Sequence, residues 1–377
     1  MKTELNLFDR QLTLFRYPNN ANETLQAWDA GDEYLINYVE ELVLDTPQNI
    51  LILNDHFGAL SCWFSAQHQV TMMSDSFISQ QGAKENLQRN QCREVKLLTT
   101  LDAIPVETNL VLFQLPKNNR HLTWQLTQLR KTLSPDVPVV AVNKAKEIHT
   151  STLKLFEKYL GTTKTSLAWK KHRLVFCQAD CAQMNDISPV TRWNVEEHKM
   201  TLNNLPNVYS GESLDLGARF MLEHIPQDEN LKHIIDLGCG NGVLSVKAAQ
   251  LNPKAKLTLV DESYMAIESA RLNLLQENVT VPIDAEYIAN NCLDGFAGEI
   301  ADLILCNPPF HQQQAITDHI AWQMFCDAKR VLKRGGKLQV IGNRHLGYDG
   351  KLKRLYGDKN VKLVASNSKF VILQATK

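Results

Sequence analysis

The strongest constraint on the fold of this chain is that its two halves carry one and the same succession of strand, turn and helix. Asn49-Ile-Leu-Ile-Leu-Asn-Asp-His-Phe-Gly-Ala-Leu-Ser61 aligns without a gap on His233-Ile-Ile-Asp-Leu-Gly-Cys-Gly-Asn-Gly-Val-Leu-Ser245, which puts Gly58 on Gly242. Further matches follow in order. Val70-Thr-Met-Met-Ser-Asp-Ser-Phe77 parallels Leu257-Thr-Leu-Val-Asp-Glu-Ser-Tyr264, and the helical stretches after them share an asparagine, at 86 and 273. Leu110-Val-Leu-Phe-Gln-Leu-Pro116 parallels Leu303-Ile-Leu-Cys-Asn-Pro-Pro309, and Leu174–Ala179 parallels Phe370–Ala375. Short apolar runs alternating with helical segments predict parallel sheets with helices on both faces, hence an α/β fold. At 377 residues the chain is long for one domain and sufficient for two with their own cores. The expected division is residues 1–185, a linker over 186–205 carrying Pro189 and charges, and residues 206–377.

The second half holds a nucleotide-cradle pattern. The apolar strand from His233 runs into a glycine-rich turn and then a helix of alanines and aliphatics. Glycines let backbone approach a ligand closely, and the helix start supplies N–H groups. The spacing is Gly238-x-Gly240-x-Gly242, with Asp236 before it, and differs from the dinucleotide spacing G-x-G-x-x-G. S-adenosylmethionine fits this pattern better than NAD. A second strand, Lys256–Val260, ends at Asp261-Glu262, where a carboxylate accepts from both ribose hydroxyls. Asn290 and Asn291 follow a third strand-like stretch.

The strand Ala301–Cys306 delivers Asn307-Pro308-Pro309-Phe310. Two prolines give a stiff loop rich in acceptors and poor in donors. The Asn307 side-chain oxygen and the Pro308 carbonyl could each take one N–H of a planar amine, with Phe310 stacked on the base. That is catalysis by positioning and electrostatics. An Asn-Pro pair is also a common turn starter. His311 is read as shaping the loop or starting the next helix rather than as a base. Ser213 and Asp215 are read as caps for a helix beginning near Leu216.

In the first half the chemistry is missing. Ile52, Asn54 and His56 replace Asp236, Gly238 and Gly240; Ser74 replaces Asp261; and Gln114-Leu115-Pro116-Lys117 replaces Asn-Pro-Pro-Phe. This half is expected to be a degenerate copy kept for recognition or scaffolding.

Residues from about Asn207 onward resemble a class I methyltransferase, and Asn307-Pro-Pro-Phe-His-Gln-Gln313 resembles the ribosomal RNA guanine-N2 methyltransferases. Within that group, Asn343-Arg344-His345-Leu346, Leu25-Gln-Ala-Trp28 and Asp32-Glu-Tyr-Leu35 are similar to the family acting on large-subunit (23S) ribosomal RNA. The resemblance spans nearly the whole chain. It implies two tandem Rossmann-like class I methyltransferase domains from a duplication, the N-terminal one degenerate. It also implies methyl transfer from S-adenosylmethionine to the 2-amino group of one guanosine, a polar contact from Asn290 and Asn291 to the adenine, and an entry segment, Val208–Arg219, lying across the cofactor. The residues alone stop at a methyltransferase for a planar amine. A small-subunit guanine, an adenine N6 or a protein glutamine N5 as target, or an assembly factor that binds RNA without turnover, stay open.

The net charge of −1 and pI near 6.8 mean that an RNA partner must be met by local basic surface. Candidates in the first half are Lys117, Arg120 and His121, then Lys170, Lys171 and Arg173. In the second they are Lys329-Arg330, Lys333-Arg334, Lys337, Arg344, Lys351, Lys353 and Arg354. Eight scattered cysteines lack paired metal spacing, so neither zinc nor a disulfide framework is expected. Met1–Arg10 has no apolar signal core and no run reaches membrane-spanning length; the reading is a cytoplasmic monomer.

Overall fold

The apolar runs of each half become the central strands of a seven-stranded sheet, so there are two such sheets. The computed structural model describes residues 2–20, 23–180, 187–275, 278–279, 283–309 and 314–377, in two units, Met1–Pro189 and Val190–Lys377. The first opens with a hairpin of β1 (Glu4–Leu7) and β2 (Arg10–Thr13), then α1 (Ala30–Glu41). There follow β3 (Asn49–Leu53), α2 (Ala59–Phe64), β4 (Gln69–Ser74), α3 (Phe77–Arg89) and β5 (Val95–Thr99). β6 (Leu110–Gln114), α4 (Asn119–Thr132), β7 (Pro138–Lys144), α5 (Thr150–Tyr159), β8 (Thr163–Thr165) and β9 (His172–Gln178) complete it.

The second unit opens with β10 (Thr191–Val195), β11 (Met200–Asn204) and α6 (Leu216–Leu222). Next come β12 (His233–Leu237), α7 (Val243–Leu251), β13 (Lys256–Asp261), α8 (Tyr264–Leu274) and β14 (Ala285–Ala289). It ends with β15 (Ala301–Cys306), α9 (Gln314–Val331), β16 (Leu332–Asn343), α10 (Tyr348–Tyr356), β17 (Val361–Ser366) and β18 (Phe370–Thr376). The sheet orders are β5-β4-β3-β6-β7-β9-β8 and β14-β13-β12-β15-β16-β18-β17, which is one topology twice. In each, the order reverses beside the third strand from the edge, so the crevice between the carboxyl ends of β12 and β15 is a switch point where open α/β sheets bind ligands.

The sheets are mixed rather than parallel throughout. Six strands of each point the same way, and β9 and β18 run antiparallel to both of their neighbours. A tight turn joins β17 to β18, the Asn367 side chain accepting from the N–H groups of Lys369 and Phe370, and a turn that short can connect only antiparallel strands.

Both faces of the second sheet are covered, which is why its strands read as unbroken apolar runs. Leu303 and Leu305 pack with α6, α7 and α8 residues on one face; Ile304 and Cys306 pack with α9 and α10 on the other. Truncating one such leucine to alanine costs about 2–5 kcal/mol.

The stretch expected as a linker, 186–205, is instead largely structured: β10 and β11 pair from Thr191↔Asn204 to Val195↔Met200. Val195, Met200 and Leu202 are buried in the unit's core. Two asparagines lock this hairpin to α8. Asn273 accepts from the Asn203 N–H at 2.7 Å and donates to the carbonyls of Asn203 and Asn241, and Asn278 exchanges two 2.7 Å bonds with the Thr201 backbone. The first unit repeats the device. Asn86 pairs with the Phe15 backbone and donates to the Phe57 carbonyl, while Asn90 pairs with the Thr13 backbone. The asparagine shared between the halves is therefore the clamp that ties each entry hairpin to the turn after the first long strand.

Candidate active site

The turn after β12 is built from three left-handed glycines, Gly238, Gly240 and Gly242, at φ of 75°, 53° and 77°. Their surroundings differ. A Cβ on Gly240 would meet nothing within 4 Å, so its backbone faces open space, whereas one on Gly242 would lie 2.9 Å from Ala270 Cβ and 3.0 Å from its Cα. Gly242 is thus required by the approach of α8, and Gly58 has the same relation to Ala83 in the first unit. The N–H groups of Gly238 and Cys239 donate to the Val260 carbonyl at 2.8 and 3.0 Å, which fixes the turn against the end of β13.

Asp261 stands at that end. Its carboxylate accepts from Gly240 N at 2.9 Å and from Ser263 N at 3.0 Å, and its carbonyl accepts from Asn290 N. Glu262 is exposed next to it.

Asn307 follows β15, hydrogen-bonded neighbour of β12. Its Nδ2 donates to Asp215 Oδ2 at 3.4 Å, and its Oδ1 is buried with no donor among the described residues. Asp215 is the N-cap of α6, also accepting from Ala218 N at 2.8 Å, as the sequence suggested. Pro308 is buried and Pro309 exposed. The side chains of Phe310 and His311 lie outside the described residues.

Asp236 is buried beneath this turn. It accepts from the Ser245 hydroxyl at 2.6 Å, and its other oxygen has no partner among the described residues. Burial, with the Asp261 charge adding to it, pushes its carboxyl up to about 7. Asn290 and Asn291 commit their amide donors to the loop that follows: Asn290 to the carbonyls of Cys292 and Asp294, and the buried Asn291 to the Asp294 carboxylate at 2.7 Å. The structure therefore brings Gly238, Gly240, Asp261 and Asn307 to adjoining strand ends, and leaves Asp236, Gly242 and Asn291 facing the protein's own interior.

Residues 2–181 match the RLMG N-terminal domain family and residues 199–374 the methyltransferase small domain family. A Vibrio vulnificus protein named ribosomal RNA large subunit methyltransferase G is 98% identical over the full length of both chains. The chain belongs to this family. A Vibrio cholerae member of the same name is 65% identical, again across all of both chains. Membership makes the chain a methyltransferase. Among solved structures, a T. thermophilus 16S rRNA N2 methyltransferase in complex with AdoMet and guanosine superposes with a TM-score of 0.78. It is 18% identical and covers 100% of this chain and 97% of its own, a likeness of fold.

The corresponding turn of the first unit is filled by its own side chains. Asn54, left-handed at φ 63°, keeps the backbone shape that Gly238 has, since asparagine tolerates that region. Its amide donates to the Gln114 carbonyl at 2.9 Å and exchanges two bonds with Gln125. Gln114, at the position of Asn307, donates to the fully buried Asp32, whose carboxyl is raised well above its usual range by burial and by the charges of Asp29 and Asp55. Ser61 donates backbone and side chain to Asp55, as Ser245 donates to Asp236. Sequence alignment places Asp55 opposite Cys239, so this carboxylate could have been found only by its serine partner.

The basic candidates fall into two groups. Lys117 and Arg120 follow β6, and Lys170, Lys171 and Arg173 stand at the start of β9, which pairs Lys144↔His172 with the end of β7. All of these lie toward the carboxyl ends of the parallel strands of that sheet. His121 does not join them: it is 2% exposed, and burial pushes its imidazole down to about 3, so it is a neutral core residue. In the second unit, Lys329 donates to the Leu355 carbonyl, Arg330 to those of Leu293 and Phe296, and Lys333 to Asp302 at 2.8 Å. Lys333 and Asp302 sit near the opposite, amino ends of the strands. Arg344 follows β16 at the site end, donating to the Asn367 carbonyl, and Lys351 lies over Tyr348.

Proposed function

We propose that the chain methylates the 2-amino group of one guanosine in large-subunit ribosomal RNA, with residues 206–377 and the hairpin before them as the catalytic unit. S-adenosylmethionine is the methyl donor. The observation that carries this reading is the buried Asn307 Oδ1, an acceptor with no donor among the described residues, at the end of β15 beside the crevice. A buried acceptor left unpaired costs about 1–3 kcal/mol, so the site gains when an N–H enters. An exocyclic amine brings two: one for Asn307 Oδ1, one for the Pro308 carbonyl. The large-subunit assignment follows the names of the relatives, and the guanine follows the family resemblance.

The residues present suit the donor. Gly240 leaves open space beside its backbone, and the Asp261 carboxylate next to it is the type of acceptor that suits vicinal hydroxyls. Bound there, the cofactor supplies a methyl already made electrophilic by its sulfonium. Asn307 and Pro308 hold the amine with its lone pair drawn out of conjugation and aimed for attack. The amine becomes acidic only as it is alkylated, so its proton leaves afterwards to water and no side-chain base is required. Asp215 restrains the Asn307 amide so that its oxygen, not its nitrogen, faces the substrate.

Residues 1–185 are read as a degenerate copy whose cofactor turn is closed by Asn54 and Gln125 and whose role is RNA recognition through Lys117, Arg120, Lys170, Lys171 and Arg173. Mass mapping of ribosomal RNA nucleosides from cells with and without the protein tests the whole reading. One N2-methylguanosine in the large subunit should vanish with the protein. Loss of a methyl from the small subunit, from adenine or from a glutamine side chain would overturn the assignment.

A further inference from the structure

One face of α1 and the edge of the first unit's sheet enclose a slot lined by Tyr34, Asn37, Tyr38, Trp169 and Phe176, with a cavity volume near 240 Å³. Tyr34, Asn37, Tyr38 and Glu41 recur at helical spacing, so they share one side of α1. The rings are arranged in tilted pairs: Tyr34 with Trp169 at 5.4 Å between centroids, and Tyr38 with Phe176 at 5.0 Å. Tyr34 is fixed by its hydroxyl, which bonds Ser166 and the Leu167 carbonyl at 3.0 Å. Trp169 is fixed by Lys170, whose ammonium lies 4.4 Å from the ring centroid and 2.7 Å from Glu33. These are half-buried aromatic side chains held in place around a gap that no side chain among the described residues fills.

We propose that this slot receives an unpaired nucleobase of the RNA substrate, a proposal that rests on the ribosomal RNA reading above. Its size favours one ring system, since small-molecule pockets run from roughly 300 to 1,000 Å³. Its walls offer π-faces, which stack on any base. The Asn37 side chain makes no hydrogen bond among the described residues and carries both a donor and an acceptor suited to a base edge. The charge around it suits a backbone of phosphates. Lys170, Lys171 and Lys144 gather where β9 pairs with β7, and Lys164 is exposed on the neighbouring β8. Glu33 pairs with Lys170 and Asp29 faces His172, so Lys171, Lys144 and Lys164 carry the remaining positive charge against Glu41 on the slot wall. An apolar protein side chain would gain nothing from these lysines, so single-stranded RNA is the occupant the surface fits.

The test uses the full-length protein and a single-stranded RNA of about ten nucleotides carrying 5-iodouridine, long enough for one binding site of this kind. Photo-crosslinks should map by mass spectrometry to Trp169, Tyr34 or Tyr38. Trp169→Ala should weaken binding about tenfold, within the roughly 5- to 150-fold expected for one lost stacking contact, and Trp169→Phe should restore most of it. The salt dependence should be unaltered by Trp169→Ala but flattened by Lys171→Glu. Asn37→Ala, which removes no side-chain hydrogen bond among the described residues, should also weaken binding, and covers the case in which the tryptophan variant is unstable. Unchanged RNA affinity in both alanine variants, or crosslinks confined to other residues, overturns the slot; the former is also what a protein-binding groove would give. If the wild type crosslinks at Trp169 yet transfers no methyl to ribosomal RNA, the slot stands and the catalytic reading fails.

Discussion

Asn54 and Gln125 exchange two hydrogen bonds, of 3.1 and 3.0 Å, at the turn of the first unit where the second has Gly238 with no side chain at all. One topology therefore appears twice, with the turn after its first long strand filled in the first unit and beside open space in the second. Calorimetry should accordingly find one S-adenosylmethionine site per chain. Asp261→Ala should weaken it by about 1.5–3 kcal/mol, the range for hydrogen bonds to a charged group. Asn54→Gly should create no second site, because Asp32, Gln114 and Asp55 still occupy the space around it. Two sites in the wild type would end the idea of a closed copy.

Asn307→Ala should cut methyl transfer by about two to three orders of magnitude, the usual loss when one positioned electrostatic group is removed. Cofactor affinity should hardly change, since Asn307 contacts Asp215 and the crevice rather than the glycine turn. Single-turnover rates and equilibrium titration separate the two effects. Near-normal transfer would return Asn307-Pro308 to a plain turn.

The periodic parts of the fold were legible. Strands β12 and β15 start and stop where the apolar runs do, and the α6 start at Leu216 is set by Asp215 as its spacing implied. The entry hairpin was not, because Thr191–Asn204 mixes tryptophan, asparagine and charge on a strand pair whose partner surface is α8, far along the chain. Nor was the antiparallel end of each sheet, since strand direction is decided by the length of a connection rather than by the strand's own residues. Within the site, Gly242 and Gly240 look alike in sequence. Only the distance to Ala270 separates a glycine required by packing from one beside open space. The Asn37 slot had no signal at all, because Tyr34 and Trp169 meet only through the tertiary fold.

Asp236 should leave a signature in the pH dependence of stability. Its folded carboxyl is raised to about 7 from an ordinary value near 4, so the folded state prefers the protonated acid. Its stabilising contribution is then fully present below about pH 4 and is lost as pH rises through about 7. Asp236→Asn removes this titration. The difference in unfolding free energy between variant and wild type should therefore move in the variant's favour from about pH 5 to about pH 8, then level off. Denaturant titrations at several pH values check it, and a difference independent of pH would show that the group does not titrate in this window.

The two glycines make the sharpest contrast. Gly242→Ala forces a Cβ to within 2.9 Å of Ala270 in a left-handed backbone, so overpacking and backbone strain together should destabilise the chain by about 2–5 kcal/mol. Gly240→Ala meets no neighbour and carries only the left-handed penalty of about 1–2 kcal/mol, but its methyl projects from the backbone into the open space beside Asp261. The first variant should melt well below the wild type while its folded fraction still binds S-adenosylmethionine. The second should melt near the wild type and bind the cofactor poorly. Thermal unfolding paired with calorimetry on the same samples reads both quantities. A Gly240→Ala protein with wild-type affinity would mean that the donor does not lie against this turn.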